Sequence, residues 1–235
     1  MLFSDVPGQH SVKEKLIGLV GNNRLSHALL FLGKEGSGAL QLAMAFSQYI
    51  LCEKNNQYSK TKTDSLFGEG IAVYNNKIYQ LTWQNHKVFV YDANTFKKEK
   101  EFNWNYEGWG ITHFNNQLII STGSSNLYFV NPSTLAIEKT LGVYDNNGYI
   151  ASLNELEMIE GKIYANVWGE NKIIAINPAS GQVEKQFDFT NILQKTNQTI
   201  TTETNVLNGI AYDSVSKATY ITGKNWPAIF KVTLQ

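Results

Sequence analysis

The chain is poor in cysteine, in charge and in long apolar runs. Cys52 is the sole cysteine among 235 residues, which excludes an intrachain disulfide and a zinc site built from cysteines. Charged residues make up 17% and cancel, 20 basic against 20 acidic. Nothing electrostatic therefore points to nucleic acid or to an anionic membrane surface. No apolar run reaches the roughly 18 residues of a membrane span. The first residues also lack a basic stretch followed by a continuous apolar one, so no secretory leader is visible and a cytoplasmic location is expected by default. The histidines, His10, His27, His86 and His113, are scattered without ligand spacing, so neither a metal nor a cofactor is expected. What the chain does have is 12% aromatic residues and 18 glycines, a mixture that suits strands and tight turns.

One phrase is written four times: FGEGIAVYNNKIYQLTW from Phe67, EGWGITHFNNQLIISTG from Glu107, LNELEMIEGKIYANVW from Leu153 and LNGIAYDSVSKATYITGKNW from Leu207. Each copy runs from small and acidic residues through an apolar run and a polar turn to an alternating strand. The spacing of about 40 to 55 residues is that of a β-propeller blade. Asn75-Asn76, Asn115-Asn116, Glu160-Gly161 and Ser216-Lys217 mark hairpin turns that favour positive φ. Second hairpins follow, with turns at Asp92 to Thr95, Asn131 to Thr134 and Asn177 to Ser180. Two hairpins make a four-stranded blade, giving three full blades and a partial fourth. The first blade of a closed ring has no visible counterpart upstream, and an open ring exposes strand edges.

Residues 1 to about 54 read differently. Ser11 is placed to cap a helix carrying Glu14, Val12, Leu16, Leu19 and Val20 at helical spacing. An apolar run, His27 to Leu32, leads into Gly33-Lys34-Glu35-Gly36-Ser37-Gly38 and a second helical pattern from Leu40 to Leu51. Strand, glycine-rich loop and helix are the layout of a phosphate-binding loop. Ala39 and Leu40, however, stand where such a loop needs Lys and then Ser or Thr, so a structural turn is the plainer reading. Phe3, Asp5, Val6, Gly8, Gln9, Arg24 to Phe31 and the degenerate loop resemble the N-terminus of a bacterial DNA polymerase III clamp-loader δ′ subunit, over about fifty residues. That family's zinc cysteines and collar helices have no match here. Residues 55–64 are polar and aperiodic, the composition of a linker or fusion seam. The expected fold is thus mainly β: an incomplete five-bladed β-propeller over 65–235, preceded by a short α/β P-loop-like fragment over 1–54.

In a propeller the starts of the innermost strands converge on the central channel. Those places hold Phe67 and Glu69, Glu107 and Trp109, Asn154 and Glu155, and Asn208. Neighbouring strand ends add Trp83, Trp168, Lys224 and Trp226. Aromatic walls with a few polar groups are the usual anatomy of a small-ligand site. Taken singly, each residue has a plainer role: a tryptophan as core between blades, an asparagine as a turn cap, a lysine as a solvated charge.

The motifs FGEG, LTW, EGWG, LNELE, YANVW, LNGIAYD and TGKNWP, in this order over some 170 residues, resemble the plant and bacterial glutamine cyclotransferase family of five-bladed propellers. The resemblance implies conversion of an N-terminal glutamine of a peptide to pyroglutamate with loss of ammonia. It also implies chemistry without a metal and a periplasmic or secreted setting for the intact enzyme; a monomer with no nucleic-acid or membrane partner is expected. Under it, Glu69 is the candidate proton shuttle, and Asn154 and Lys224 are candidates for holding the carboxamide and its oxyanion. Phe67, Trp83, Trp109 and Trp168 would wall the pocket. The family's first-blade aromatic-Thr-Gln-Gly-Leu motif has no match before Phe67, so an impaired activity is expected. The alternatives are a non-catalytic propeller fusion or binding module, and a clamp-loader fragment.

Overall fold

The structure, a computed structural model, describes residues 3–21, 42–43, 45–46, 66–196 and 206–234. Two units divide it. In the first, the helix α1 (His10–Gly21) begins one residue before Ser11, which therefore lies inside the first turn and not at the cap. Gly8 and Gln9 both take positive φ, 64° and 57°, and the Gln9 carbonyl accepts from the Val12 and Lys13 amides, so the reversal ahead of the helix is made by backbone. Val6 and Leu16 pack with Leu42, Ala45 and Phe46, and Phe3 lies against them. The glycine-rich segment 33–38 and the seam 55–64 fall outside the described residues.

The strands form four consecutive groups and lie in the second unit, apart from residues 91–99, which fall in the first. Blade I is β1 (Gly68–Tyr74), β2 (Lys77–Thr82), β3 (Lys87–Asp92) and β4 (Lys98–Asn103). Blade II is β5 (Ile111–Phe114), β6 (Gln117–Ser121), β7 (Asn126–Val130) and β8 (Ile137–Gly142). A short hairpin, β9 (Tyr144–Asp145) and β10 (Gly148–Tyr149), precedes blade III: β11 (Leu153–Ile159), β12 (Lys162–Val167), β13 (Lys172–Ile176) and β14 (Val183–Asp188). Blade IV has three strands among the described residues, β15 (Leu207–Asp213), β16 (Ala218–Gly223) and β17 (Phe230–Val232). The arrangement is propeller-like, with β1, β5, β11 and β15 as consecutive neighbours.

The turns follow local chemistry. Asn75, Asn76, Asn115, Glu160, Gly161 and Lys217 all have positive φ, as tight hairpins between right-twisted strands require. In the outer hairpins Asn131 Oδ1 accepts from the Ser133 amide at 2.9 Å and Asn177 Oδ1 from the Ala179 amide at 2.9 Å. The fifth residue, Leu135 or Gly181, then turns left-handed and bonds back to the Asn131 or Asn177 carbonyl at 2.8 Å.

Middle strands are buried on both faces, so alternate residues serve opposite neighbours. Leu118 and Ile120 of β6 join Leu81, Val88 and Val90 of blade I, while Ile119 between them joins Leu156, Ile163 and Ile174 of blade III. Ile174 and Ile176 face blade II. Ile173 and Ala175 face Leu207 and Ile221 of blade IV. That is why QLIIS, NLYFV and KIIAI are almost continuously apolar.

Candidate active site

Three innermost strands break register at the same place. Pairing slips between Gly68 and Ile71, between Leu153 and Leu156, and between Leu207 and Ile210. A bulge of this kind re-aims side chains that a regular strand would send to alternate faces. The residues inside the slips are Glu69-Gly70, Asn154-Glu155 and Asn208-Gly209. In blade II, Trp109-Gly110 stands just ahead of β5 in the equivalent place, with the Trp109 amide donating to the Ser121 carbonyl and the Ser121 amide to the Gly110 carbonyl.

These strands come very close. The Gly70 amide donates to the Trp109 carbonyl at 2.8 Å, and a Cβ on Gly70 would lie 2.7 Å from that oxygen. A Cβ on Gly110 would lie 2.2 Å from the Asn154 carbonyl oxygen and 2.8 Å from the Glu155 Cα. Ser121 ties the layer together: its hydroxyl donates to the Asn154 carbonyl at 2.7 Å and accepts from the Gly110 amide at 2.8 Å. The backbone stack carries Glu69 toward Asn154 and Glu155.

The aromatic candidates form one row. Phe67 meets Trp83 edge-on at 5.8 Å. The Trp83 indole donates to Glu107 Oε2 at 2.8 Å, and the Trp109 indole donates to the same oxygen at 3.0 Å. Gln84 donates to the other Glu107 oxygen at 3.3 Å. Trp109 then meets Trp168 edge-on at 6.5 Å, and the Lys224 ammonium lies over the Trp168 ring, 4.8 Å from its centroid. The Trp109 ring rests on Gly123, where a methyl would come within 2.6 Å of it. Phe67 and Trp83 are exposed and Trp109 and Trp168 half-buried, so this row is a wall and not core between blades. Trp226, grouped with these by position, packs instead against Phe230 and the core between blades III and IV.

The ionisable groups converge beside the wall. Burial raises the Glu69 carboxyl above its ordinary range while the Lys224 ammonium opposes it. Glu155 is pushed up to about 7, first by burial, then by the negative charge of Glu69, with Lys224 lowering it. Glu157 is likewise pushed up to about 7 by burial and accepts the Tyr212 amide at 3.1 Å. Asn154 is 5% exposed and its Oδ1 is buried without a hydrogen-bond partner; a buried polar atom left so invites an incoming donor. Glu107 is held below the usual carboxylate range by the Trp109 indole first, and by Trp83 and Gln84, so it stays ionised in its clamp.

All seven sequence candidates therefore lie in one neighbourhood, Glu69, Asn154 and Lys224 as the polar group and Phe67, Trp83, Trp109 and Trp168 as the wall. Two residues gained roles that position alone did not assign, Glu107 as the clamp on two indoles and Glu155 as a raised carboxyl that feels the charge of Glu69. A signal for Glu155 existed in the repeats: Gly70, Gly110 and Gly209 hold the place that Glu155 takes in blade III. Among the described residues no group of three His, Cys, Asp or Glu is placed to hold a metal.

The four blade-like sheets form a propeller-like arrangement that brings a carboxyl–lysine cluster beside a row of tryptophans. A family model described as Glutamine cyclotransferase matches residues 33–234, and the chain belongs to that family. The match begins well ahead of Ser65, so family similarity extends into residues that motif reading had assigned to a separate fragment. The clamp-loader likeness of residues 1–54 stays a likeness of motifs. A glutaminyl-peptide cyclotransferase of Arabidopsis thaliana is 29% identical over 216 residues, covering 92% of this chain and 65% of that protein. The chain thus spans just under two thirds of that relative's length. The crystal structure of Myxococcus xanthus glutaminyl cyclase matches with a TM-score of 0.67 and 33% identity, covering 74% of this chain and 75% of that one. No described helix is long and apolar enough to cross a membrane.

Proposed function

We propose that the chain is a glutaminyl-peptide cyclotransferase, converting the N-terminal glutamine of a peptide to pyroglutamate with release of ammonia. The observation that carries this reading is the meeting of Glu69, Lys224 and the unpartnered Asn154 Oδ1 beside the indole row, in a chain of the glutamine cyclotransferase family. We assign the reaction to the sheets of residues 65–235, and family resemblance supports a five-bladed ring as their frame and a periplasmic or secreted setting. The α-amine nitrogen attacks the γ-carboxamide carbon, and the carbonyl electron pair moves to oxygen. Lys224 is suited to hold that oxyanion, and Asn154, whose buried Oδ1 can accept from the carboxamide N–H, to hold the carboxamide. The Glu69 carboxylate takes the proton from the attacking nitrogen. It returns the proton to the carboxamide nitrogen as the C–N bond breaks, so ammonia leaves and Glu69 ends ionised as it began. The wall offers aromatic faces against which the substrate can fold on itself, a proximity effect.

The test is ammonia release from a dipeptide with N-terminal glutamine, against the same dipeptide acetylated at its α-nitrogen. Release from the first alone is expected; release from both, or from neither, removes the reading. Within it, Glu107→Gln should raise KM about tenfold with a smaller change in kcat, because a charge-assisted hydrogen bond to two indoles is lost. Steady-state kinetics with near-ultraviolet circular dichroism of the indoles would show it, and an unchanged KM would leave Glu107 without that role.

A further inference from the structure

At the second bulge position three blades carry glycine, Gly70, Gly110 and Gly209, and blade III carries Glu155. Close packing explains the glycines at 70 and 110, where an added Cβ would meet neighbouring backbone within 3.0 Å. At 209 the nearest atom is the Thr222 methyl at 3.0 Å. In blade III the residue at this place is Glu155, whose Cα would lie 2.8 Å from a Cβ on the bare Gly110. The repeat is broken here by an ionisable group, and the break falls where the innermost strands bring it to Glu69.

The groups that act on Glu155 come from each side. Glu69 lies on β1, Lys224 follows β16, and Glu157 stands two residues on along β11. Glu157 is already engaged by the Tyr212 amide of β15, so it does not compete for Lys224. One lysine faces two carboxyls, and with both ionised the cluster would hold two negative charges against one positive in a partly desolvated site. Like charges in that setting keep one carboxyl protonated.

We propose that Glu155 is the proton-holding partner of Glu69: its carboxyl stays neutral while Glu69 serves as the base, and its ionisation closes the working range by setting a second negative charge beside Glu69 and drawing Lys224 away from the oxyanion. It is a positioning residue, acting through Glu69 and Lys224, and its role rests on the cyclotransferase reading above. The consequence is a bell in kcat/KM. Activity needs the substrate α-amine neutral, which ordinarily happens near pH 7.7–8.0, and Glu155 still protonated, which ends at about 7; the two ranges overlap in reverse order, so the bell is narrow, peaks between them, and reports a minority form carrying both. In Glu155→Gln the neutral form is permanent, so the alkaline limb should vanish and the rate should climb to a plateau. Glu155→Gly, which restores the residue of the other three blades, should fold and should lose the same limb.

Thermal melts read the same carboxyl without substrate. Its proton affinity is higher folded than unfolded, so its contribution to stability is full below the ordinary carboxylate range and is lost as pH rises through about 7. The wild-type melting temperature should drop across that interval more than that of Glu155→Gln. Glu157→Gln is the control: it should flatten the melts and leave the alkaline limb in place. A wild type that releases no ammonia at any pH sinks the cyclotransferase reading and this inference together. A wild type that does release it, with the alkaline limb retained in both Glu155 variants or with melts that Glu155→Gln does not alter, sinks this inference alone.

Discussion

Glu69→Gln should lower kcat for ammonia release by about 10²–10⁴-fold, the usual contribution of a positioned acid–base group, and leave KM within about threefold because binding is made elsewhere. Glutamine keeps the volume and the hydrogen-bonding shape of glutamate but can neither take the proton from the attacking amine nor return it to the leaving nitrogen. The side chain sits in a bulge between two glycines and is partly buried, so the substitution should fold as the wild type does. Stopped assays of ammonia with matched peptide titrations would separate kcat from KM. Turnover unchanged in the variant would take Glu69 out of the chemistry and leave Glu155 as the remaining carboxyl facing Lys224.

Gly110→Ala is expected to destabilise the protein by about 3 kcal/mol, the upper part of the range for overpacking. The added methyl would stand 2.2 Å from the Asn154 carbonyl oxygen and 2.8 Å from the Glu155 Cα. Both neighbours are backbone, so no side chain can swing aside; blades II and III must part. The same shift would loosen the Ser121 hydroxyl from the Asn154 carbonyl, now 2.7 Å away. Displacement of about 1 Å at a catalytic group costs on the order of 10²-fold in rate, so kcat/KM should fall alongside stability. Gly209→Ala is the comparison, since its nearest neighbour is the Thr222 methyl at 3.0 Å, a side-chain atom and not backbone; its cost should be about 1 kcal/mol. Denaturant unfolding of the two variants would measure the difference. A Gly110→Ala protein as stable as the wild type would show that the innermost strands are not packed this tightly.

Much of the fold was legible because it is local and repeated. Hairpin turns at Asn75-Asn76 and Glu160-Gly161 follow from the residues that tolerate positive φ, and they recur at blade spacing. Alternating strands on either side of polar turns marked the hairpins of each blade. The convergence of Phe67, Trp83, Trp109, Trp168, Glu69, Asn154 and Lys224 followed from equivalent positions in successive copies. Position alone could not separate Trp168, which faces Lys224, from Trp226, which turns into the core, because that depends on the turn after Gly223. Nor could it show the Glu107 clamp, a side-chain bond joining the ends of two strands. The bulges were hidden too, since a slip in register appears only when two strands are paired. Ser11 shows the same limit at a helix start, where positive φ at Gly8 and Gln9 moved the boundary by one residue.

The most direct measurement is a crystal structure of the Glu69→Gln protein soaked with a dipeptide that begins with glutamine. The expected result is density for the glutamine beside the Trp83, Trp109 and Trp168 row, with its α-amine within hydrogen-bond reach of residue 69 and its carboxamide facing Asn154 and Lys224. Density for the dipeptide elsewhere, as in the cleft of about 310 Å³ between the β9–β10 hairpin and Lys172, with the space beside Glu69 empty, would contradict it.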